Sequence, residues 1–279
     1  HAAPRRRRGM IFRRVLMIVL AAVFLSSAGY VLYVMHRYKE NDAIYAAASD
    51  RFTKKTEAAS AAQSEREEDK AKTGGDGPRI REGAPILVDF DELRAVNSDV
   101  EGWIYCPGTV INYPVAHTDN DDYYLHHSYD GKYSAFGTIF ADSENSCDFT
   151  DVSTIIYGHH MRNGSMFATL EDWGDQAYYE AHPVMYLLTP ERDYKIILMS
   201  GYAVSAYSDT YTIFKESDDA FREFMEEALA KSEFDSGARF DENGRYVMLS
   251  TCAYVFSNAR YVIHGQLVPL DTAGGEWIE

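Results

Sequence analysis

The sequence predicts a mainly β fold: a closed eight-stranded barrel with a short helix at its start and one inserted amphipathic helix, preceded by a transmembrane helix. Three observations predict it. Eight short runs rich in β-branched and aromatic residues follow residue 100, each bounded by Gly, Pro, Asn or Asp. One segment among them changes to helical spacing. The longest uncharged run in the chain lies at the amino end instead, where it cannot belong to the same core.

The elements follow in order. Residues 1–14 form a basic segment, with Arg5 to Arg8 and Arg13–Arg14. Residues 15–35 are the expected transmembrane anchor. Val15 to Val34 carries no charge, and at about 1.5 Å per residue twenty such residues span about 30 Å, a bilayer core. Arginines on the amino side keep that end cytoplasmic, which gives a single-pass type II topology with everything after the anchor outside. A cleaved signal, with Ser26-Ser27-Ala28 near its end, is the competing reading; the apolar run continues past the length usual for a signal core. Residues 36–83 are rich in Ala, Ser, Glu, Lys and Gly and end in Thr73-Gly-Gly-Asp-Gly-Pro78. That composition cannot build a core and is expected to be a stalk, part helical before Lys72.

Residues 84–279 are the expected catalytic domain. Asp89 to Val96 resembles a short capped helix. The strand runs are Gly102–Tyr105, Val110–Val115, Gly137–Phe140, Ser153–Tyr157, Val184–Leu188, Tyr194–Val204, Arg245–Cys252 and Arg260–Val268. Closing eight such strands into a barrel removes the exposed edges. The inserted helix begins at Ser217-Asp-Asp and carries Phe221, Phe224, Met225, Ala228 and Leu229 at helical spacing, a core-facing stripe.

Charge and cysteine content narrow the function. The formal net charge is −16, and eight of the 27 basic residues but one of the 43 acidic residues fall in the first 40 positions. So acidic an exterior would repel phosphates, which excludes nucleic acid as a partner. Three cysteines in an exported chain leave at least one unpaired. A Cys106–Cys147 disulfide is one arrangement that the sequence leaves open.

Cys252 is the expected reactive thiol. It ends a strand-like run, and Arg260 begins the next, so a guanidinium would face the thiol across the hairpin mouth, where an oxyanion could be held. An ordinary thiol is mostly protonated at neutral pH and needs a neighbour to favour the thiolate. His159, just past Ser153–Tyr157, is that candidate. Gly158 permits a tight turn before it, and strand alternation is expected to send His160 the other way. Ser250 shares the Cys252 face and is a candidate substrate contact. His117, His126, His127, His182 and His264 are expected to be structural. No zinc-finger or His-Glu-x-x-His pattern occurs, so neither metal nor cofactor is expected. Papain-like and caspase-like motifs are missing too.

The residues resemble one family, the class B sortases, cysteine transpeptidases that attach surface proteins to the Gram-positive cell wall. The resemblance rests on Gly158-His159, on Ser250-Thr251-Cys252 and on the following Arg260. It extends to Asn97–Ile104, Pro107–Val115, Asp119–Leu125 and Gly137–Phe140. Met248 departs from the Thr common there. The resemblance implies the sortase barrel and a catalytic His159, Cys252 and Arg260. It further implies an Asn-Pro-x-Thr-Asn/Gly-like sorting motif on secreted partner proteins, and an amine acceptor from peptidoglycan. A pilin Lys acceptor, a cysteine endopeptidase using water and a surface-displayed binding module are the alternatives.

Overall fold

A computed structural model describes residues 5–56 and 83–270. Its first element, α1 (Arg5–Phe52), is one unbroken helix. The chain separates into two units, His1–Ala47 and Ala48–Glu279. In the first unit the large apolar side chains between Val15 and Leu32 point outward. Among the described residues one helix, Phe12–Phe52, is long and apolar enough to cross a membrane, with a mean hydropathy of 2.4 in its most apolar window; a signal sequence passes the same test.

The second unit begins well before residue 84. Phe52 is 1 % exposed and packs edge-on against Tyr129 at 6.2 Å, and Asn112 Nδ2 donates to Ser49 Oγ at 2.7 Å. The next strand, β1 (Thr53–Lys55), pairs antiparallel with β2 (Ile86–Val88). The amino end of the expected stalk is therefore helix and strand, and its middle, residues 57–82, lies outside the described residues.

Then comes α2 (Phe90–Val96), capped by Asp89, whose carboxylate accepts the Glu92 amide. The barrel strands are β3 (Val100–Tyr105), β4 (Asn112–Ala116), β5 (Ile139–Ala141), β6 (Ser153–Tyr157), β7 (Val184–Leu188), β8 (Tyr194–Ser205), β9 (Arg245–Cys252) and β10 (Ala259–Pro269). Short helices α3 (Asp121–Tyr124) and α4 (Gln176–Ala181) and two 3₁₀ turns, Ala168–Gly174 and Asp209–Tyr211, sit in the connections. Around the barrel the order is β10-β8-β7-β3-β4-β5-β6-β9, closing on β10. Two pairings are parallel, β4 with β5 and β6 with β9; the other pairings are antiparallel. The expected closed eight-stranded barrel is thus present.

Burial explains why β9 reads as a near-continuous apolar run. Leu249 and Val247 are 0 % and 1 % exposed, and so is Met248, at 2 %. Both faces are covered because α5 (Asp219–Ala230) lies over the outside of the wall. Asp218 caps α5 by accepting the Phe221 amide at 2.9 Å. Its buried stripe is Phe221, Met225 and Ala228, one helical face. Ala228 packs on Ile155, Tyr202, Met248 and Val262, and Phe221 on Met199 and Tyr246. Burying each of these large side chains contributes about 1.5–3 kcal/mol. This cover stiffens the three strands, β6, β9 and β10, that carry the candidate site.

Candidate active site

Cys252 and Arg260 are direct cross-strand partners, the last residue of β9 facing an early residue of β10. Residues so paired on an antiparallel ladder project to the same face with their Cβ atoms about 5 Å apart. The hairpin expectation therefore holds at the level of register. On the other side of β9 runs β6, parallel, with Tyr157 opposite Ser250. Gly158 continues the contact by donating its amide to the Ser250 carbonyl at 3.0 Å. His159 follows directly on that glycine, just past the end of the ladder. All three side chains are partly buried.

Two glycines fix the histidine. A Cβ on Gly158 would lie 2.5 Å from Ile139 Cδ1 and 2.6 Å from Phe167 Cδ2, both on fully buried side chains. Gly137 has φ +56, and a Cβ there would come within 2.5 Å of the Tyr124 carbonyl and 3.0 Å of His159 Cδ2. The turns around the imidazole accept glycine alone at these points. The ring itself is held by Leu125, whose carbonyl lies 3.0 Å from Nε2. A carbonyl can only accept, so Nε2 carries the proton in the neutral ring. Nδ1 remains as the nitrogen that can take up or release one.

The Arg260 guanidinium donates through Nη1 to the Ala259 carbonyl at 3.0 Å. That same carbonyl accepts the Ala253 amide at 3.0 Å, which closes the β9–β10 hairpin just beyond the thiol. Ser250 is 2 % exposed, and its hydroxyl shares a 2.8 Å hydrogen bond with Tyr211 Oη. Tyr211 is shifted to a higher pKa by burial, and Arg260 and Cys252 both lie within its electrostatic reach. It also stacks on Tyr157 at 6.3 Å. Tyr211 and the Leu125 carbonyl were not singled out from the sequence. The first arrives on a 3₁₀ turn with no motif around it, and the second is a backbone atom.

His160 differs from expectation. It does not turn away from the thiol's strand; its Nδ1 lies 2.7 Å from the carbonyl of Cys252 itself. The ladder ends at Tyr157, so alternation no longer governs direction there, and His160 instead forms an isolated bridge with Met166.

Of the remaining cysteines, Cys106 is buried and Cys147 exposed. Cys106 and Cys147 are both free, so the disulfide left open by the sequence is not formed. Burial pushes the Cys106 thiol up to about 12 and raises that of Cys147 as well. Among the described residues no cluster of three or more His, Cys, Asp or Glu could hold a metal. Of the histidines expected to be structural, His127, His182 and His264 hydrogen-bond Tyr123, Pro107 and Tyr202.

No family model matches the chain. Individual proteins do. Sortase B of Listeria monocytogenes is 31 % identical over 258 residues, covering 91 % of this chain and 95 % of that protein. Sortase B of Staphylococcus aureus is 30 % identical over 185 residues, covering 66 % and 76 %. Among solved structures, sortase B from Bacillus anthracis superimposes with a TM-score of 0.66 at 27 % identity, covering 84 % of this chain and 99 % of that one. The Staphylococcus aureus sortase B–substrate complex gives 0.61 at 29 %, covering 64 % and 84 %. Barrel, thiol-bearing hairpin and near-full-length similarity lead to one assignment: the chain belongs to the class B sortases and is a cysteine transpeptidase of the kind that anchors proteins to the cell wall.

Proposed function

We propose that Cys252 is the nucleophile, His159 the proton carrier and Arg260 the oxyanion donor, acting on a sorting motif of the Asn-Pro-x-Thr-Asn/Gly type in secreted proteins. The Cys252 thiolate attacks the Thr carbonyl, and the tetrahedral oxyanion accepts hydrogen bonds from the Arg260 fork. The C–N bond then breaks as His159 gives its proton to the departing amine, which leaves a thioester on Cys252. A peptidoglycan amine attacks that thioester, His159 takes a proton from it, and the thiolate departs from the new amide.

What carries the reading is register. Cys252 faces Arg260 across β9–β10, while the parallel β6–β9 ladder ends at Tyr157 and Ser250, one residue before the Gly158-His159 turn and two before Cys252. The Leu125 hydrogen bond supports Nδ1 of His159 as the working nitrogen. Ser250 serves by holding Tyr211 at the edge of the site, a role its buried hydroxyl pair supports. The uncharged run from Val15 to Val34 behind six arginines supports a type II anchor, with the catalytic unit outside the membrane.

The test is turnover of fluorogenic sorting peptides by the full chain, with and without an added amine, alongside Cys252→Ala, His159→Ala and Arg260→Ala. Amide product with the amine, and none from Cys252→Ala, is expected. Cleavage that persists in Cys252→Ala contradicts the assignment. Cleavage with no amide at any amine concentration favours the water-accepting endopeptidase, and transfer only to a pilin-type Lys peptide favours pilin polymerisation.

A further inference from the structure

We infer that His160 is a positioning residue for the nucleophile, acting on the Cys252 backbone rather than on the substrate. The inference rests on Cys252 being the nucleophile. His160 Nδ1 lies 2.7 Å from the Cys252 carbonyl oxygen. That oxygen can only accept, so Nδ1 carries the proton and donates it. On the other side of the same peptide bond, the Ala253 amide donates to the Ala259 carbonyl at 3.0 Å. The peptide that immediately follows the thiol-bearing carbon is therefore tied at both its oxygen and its nitrogen, and the plane of that peptide sets the direction in which the Cys252 side chain leaves the strand.

His160 is itself held from several sides. Its ring meets Tyr254, in the β9–β10 connection, edge-on at 4.9 Å. Nδ1 also lies 3.9 Å from Glu171 Oε1, on the 3₁₀ turn Ala168–Gly174. That carboxylate oxygen is buried and has no hydrogen-bond partner among the described residues. An unpartnered buried carboxylate oxygen is costly unless a donor or cation is near, and the His160 ring is such a neighbour. The isolated bridge between His160 and Met166 ties the backbone beneath the ring, and Met166 adopts φ +57 there, a conformation non-glycine residues seldom adopt and one that collects at functional sites.

One consequence separates this role from ordinary packing. The donor at the Nδ1 position is what matters, and an asparagine carries an N–H close to that position while alanine carries none. A small misdirection of a reacting group costs rate far more than binding. The experiment compares full-length parent, His160→Ala, His160→Asn and Cys252→Ala in three assays: peptide transpeptidation, second-order alkylation of the protein by iodoacetamide across pH, and thermal unfolding.

His160→Ala is expected to lose kcat on the order of 10- to 100-fold with KM within about twofold, and to show a changed rate and pH profile for alkylation of Cys252. His160→Asn is expected to recover most of both. If folded His160→Ala keeps the parent's kcat and alkylation profile, the inference is overturned. It is equally overturned if His160→Asn, folded to the parent's unfolding temperature, is no better than His160→Ala. Should Cys252→Ala remain active, the nucleophile assignment has failed instead, and the alkylation profile distinguishes the two failures because it needs no substrate.

Discussion

His264 offers a quantitative test of the barrel wall beneath the catalytic strands. It lies on β10 and is 2 % exposed. Its Nε2 shares a 3.1 Å hydrogen bond with Tyr202 Oη, and its ring faces the Phe224 edge at 5.7 Å. Burial, with the Lys231 charge adding a smaller push, depresses the imidazole pKa from 6.5 to about 3. The folded protein thus holds this ring neutral while the unfolded chain protonates it near 6.5. A depressed folded value means the contribution is fully present above about pH 6.5 and is lost as pH falls toward 3, at about 1.4 kcal/mol per pH unit. At pH 5.0 the loss amounts to about 2 kcal/mol. Carboxylate titrations also act in that range, so the measurement is a difference. Urea unfolding of the parent and of His264→Gln, which keeps a hydrogen-bonding group but cannot ionise, is followed at pH 7.5 and 5.0. The variant should be the less stable at pH 7.5, and its deficit should shrink by about 2 kcal/mol at pH 5.0. An equal deficit at both pH values refutes the reasoning.

Gly158→Ala should cost about 1–3 kcal/mol in unfolding free energy through overpacking against Ile139 and Phe167, and on the order of 100-fold in kcat by displacing His159; an active, stable variant would contradict the steric argument. Arg260→Lys keeps the charge but not the fork, and kcat should fall about 10²–10³-fold with little change in KM. An unchanged kcat removes the oxyanion role. Brief alkylation at pH 7 followed by peptide mapping should modify Cys252 well before Cys106, which is buried with its thiol pushed up to about 12. Earlier labelling of Cys106 would contradict its burial.

Much of the barrel was legible because its strands are bounded by unambiguous turn residues. β6, β7 and β9 begin and end where the apolar runs do, and α5 is marked by Asp218 and the Phe221–Met225–Ala228 stripe. β1 and β2 were not legible. Each has three residues and exists only through pairing with the other across a long intervening segment, and Thr53–Lys55 has the composition of a stalk. The start of β3 at Val100–Glu101 was missed because Asp99 and Glu101 resemble a loop, although Val100 is fully buried.

The candidate site was partly legible for the same reasons. Cys252, Arg260 and His159 sit at or just past strand ends, where a local pattern names them; the register of β9 with β10 pairs Cys252 with Arg260, and that of β6 with β9 stops two residues short of His159. The direction of His160 required knowing that β6 stops at Tyr157. Tyr211 and the Leu125 carbonyl reach the site through chain folding that leaves no local signature.

The central claim is a covalent one. Full-length protein mixed with a sorting-motif peptide in the absence of any amine, quenched in acid and analysed by intact and peptide mass spectrometry, should carry the acyl fragment as a thioester on Cys252. That adduct should disappear, with a matching amide, when an amine is added. Turnover of the peptide by Cys252→Ala, or an acyl adduct mapped to any other residue, would contradict the account.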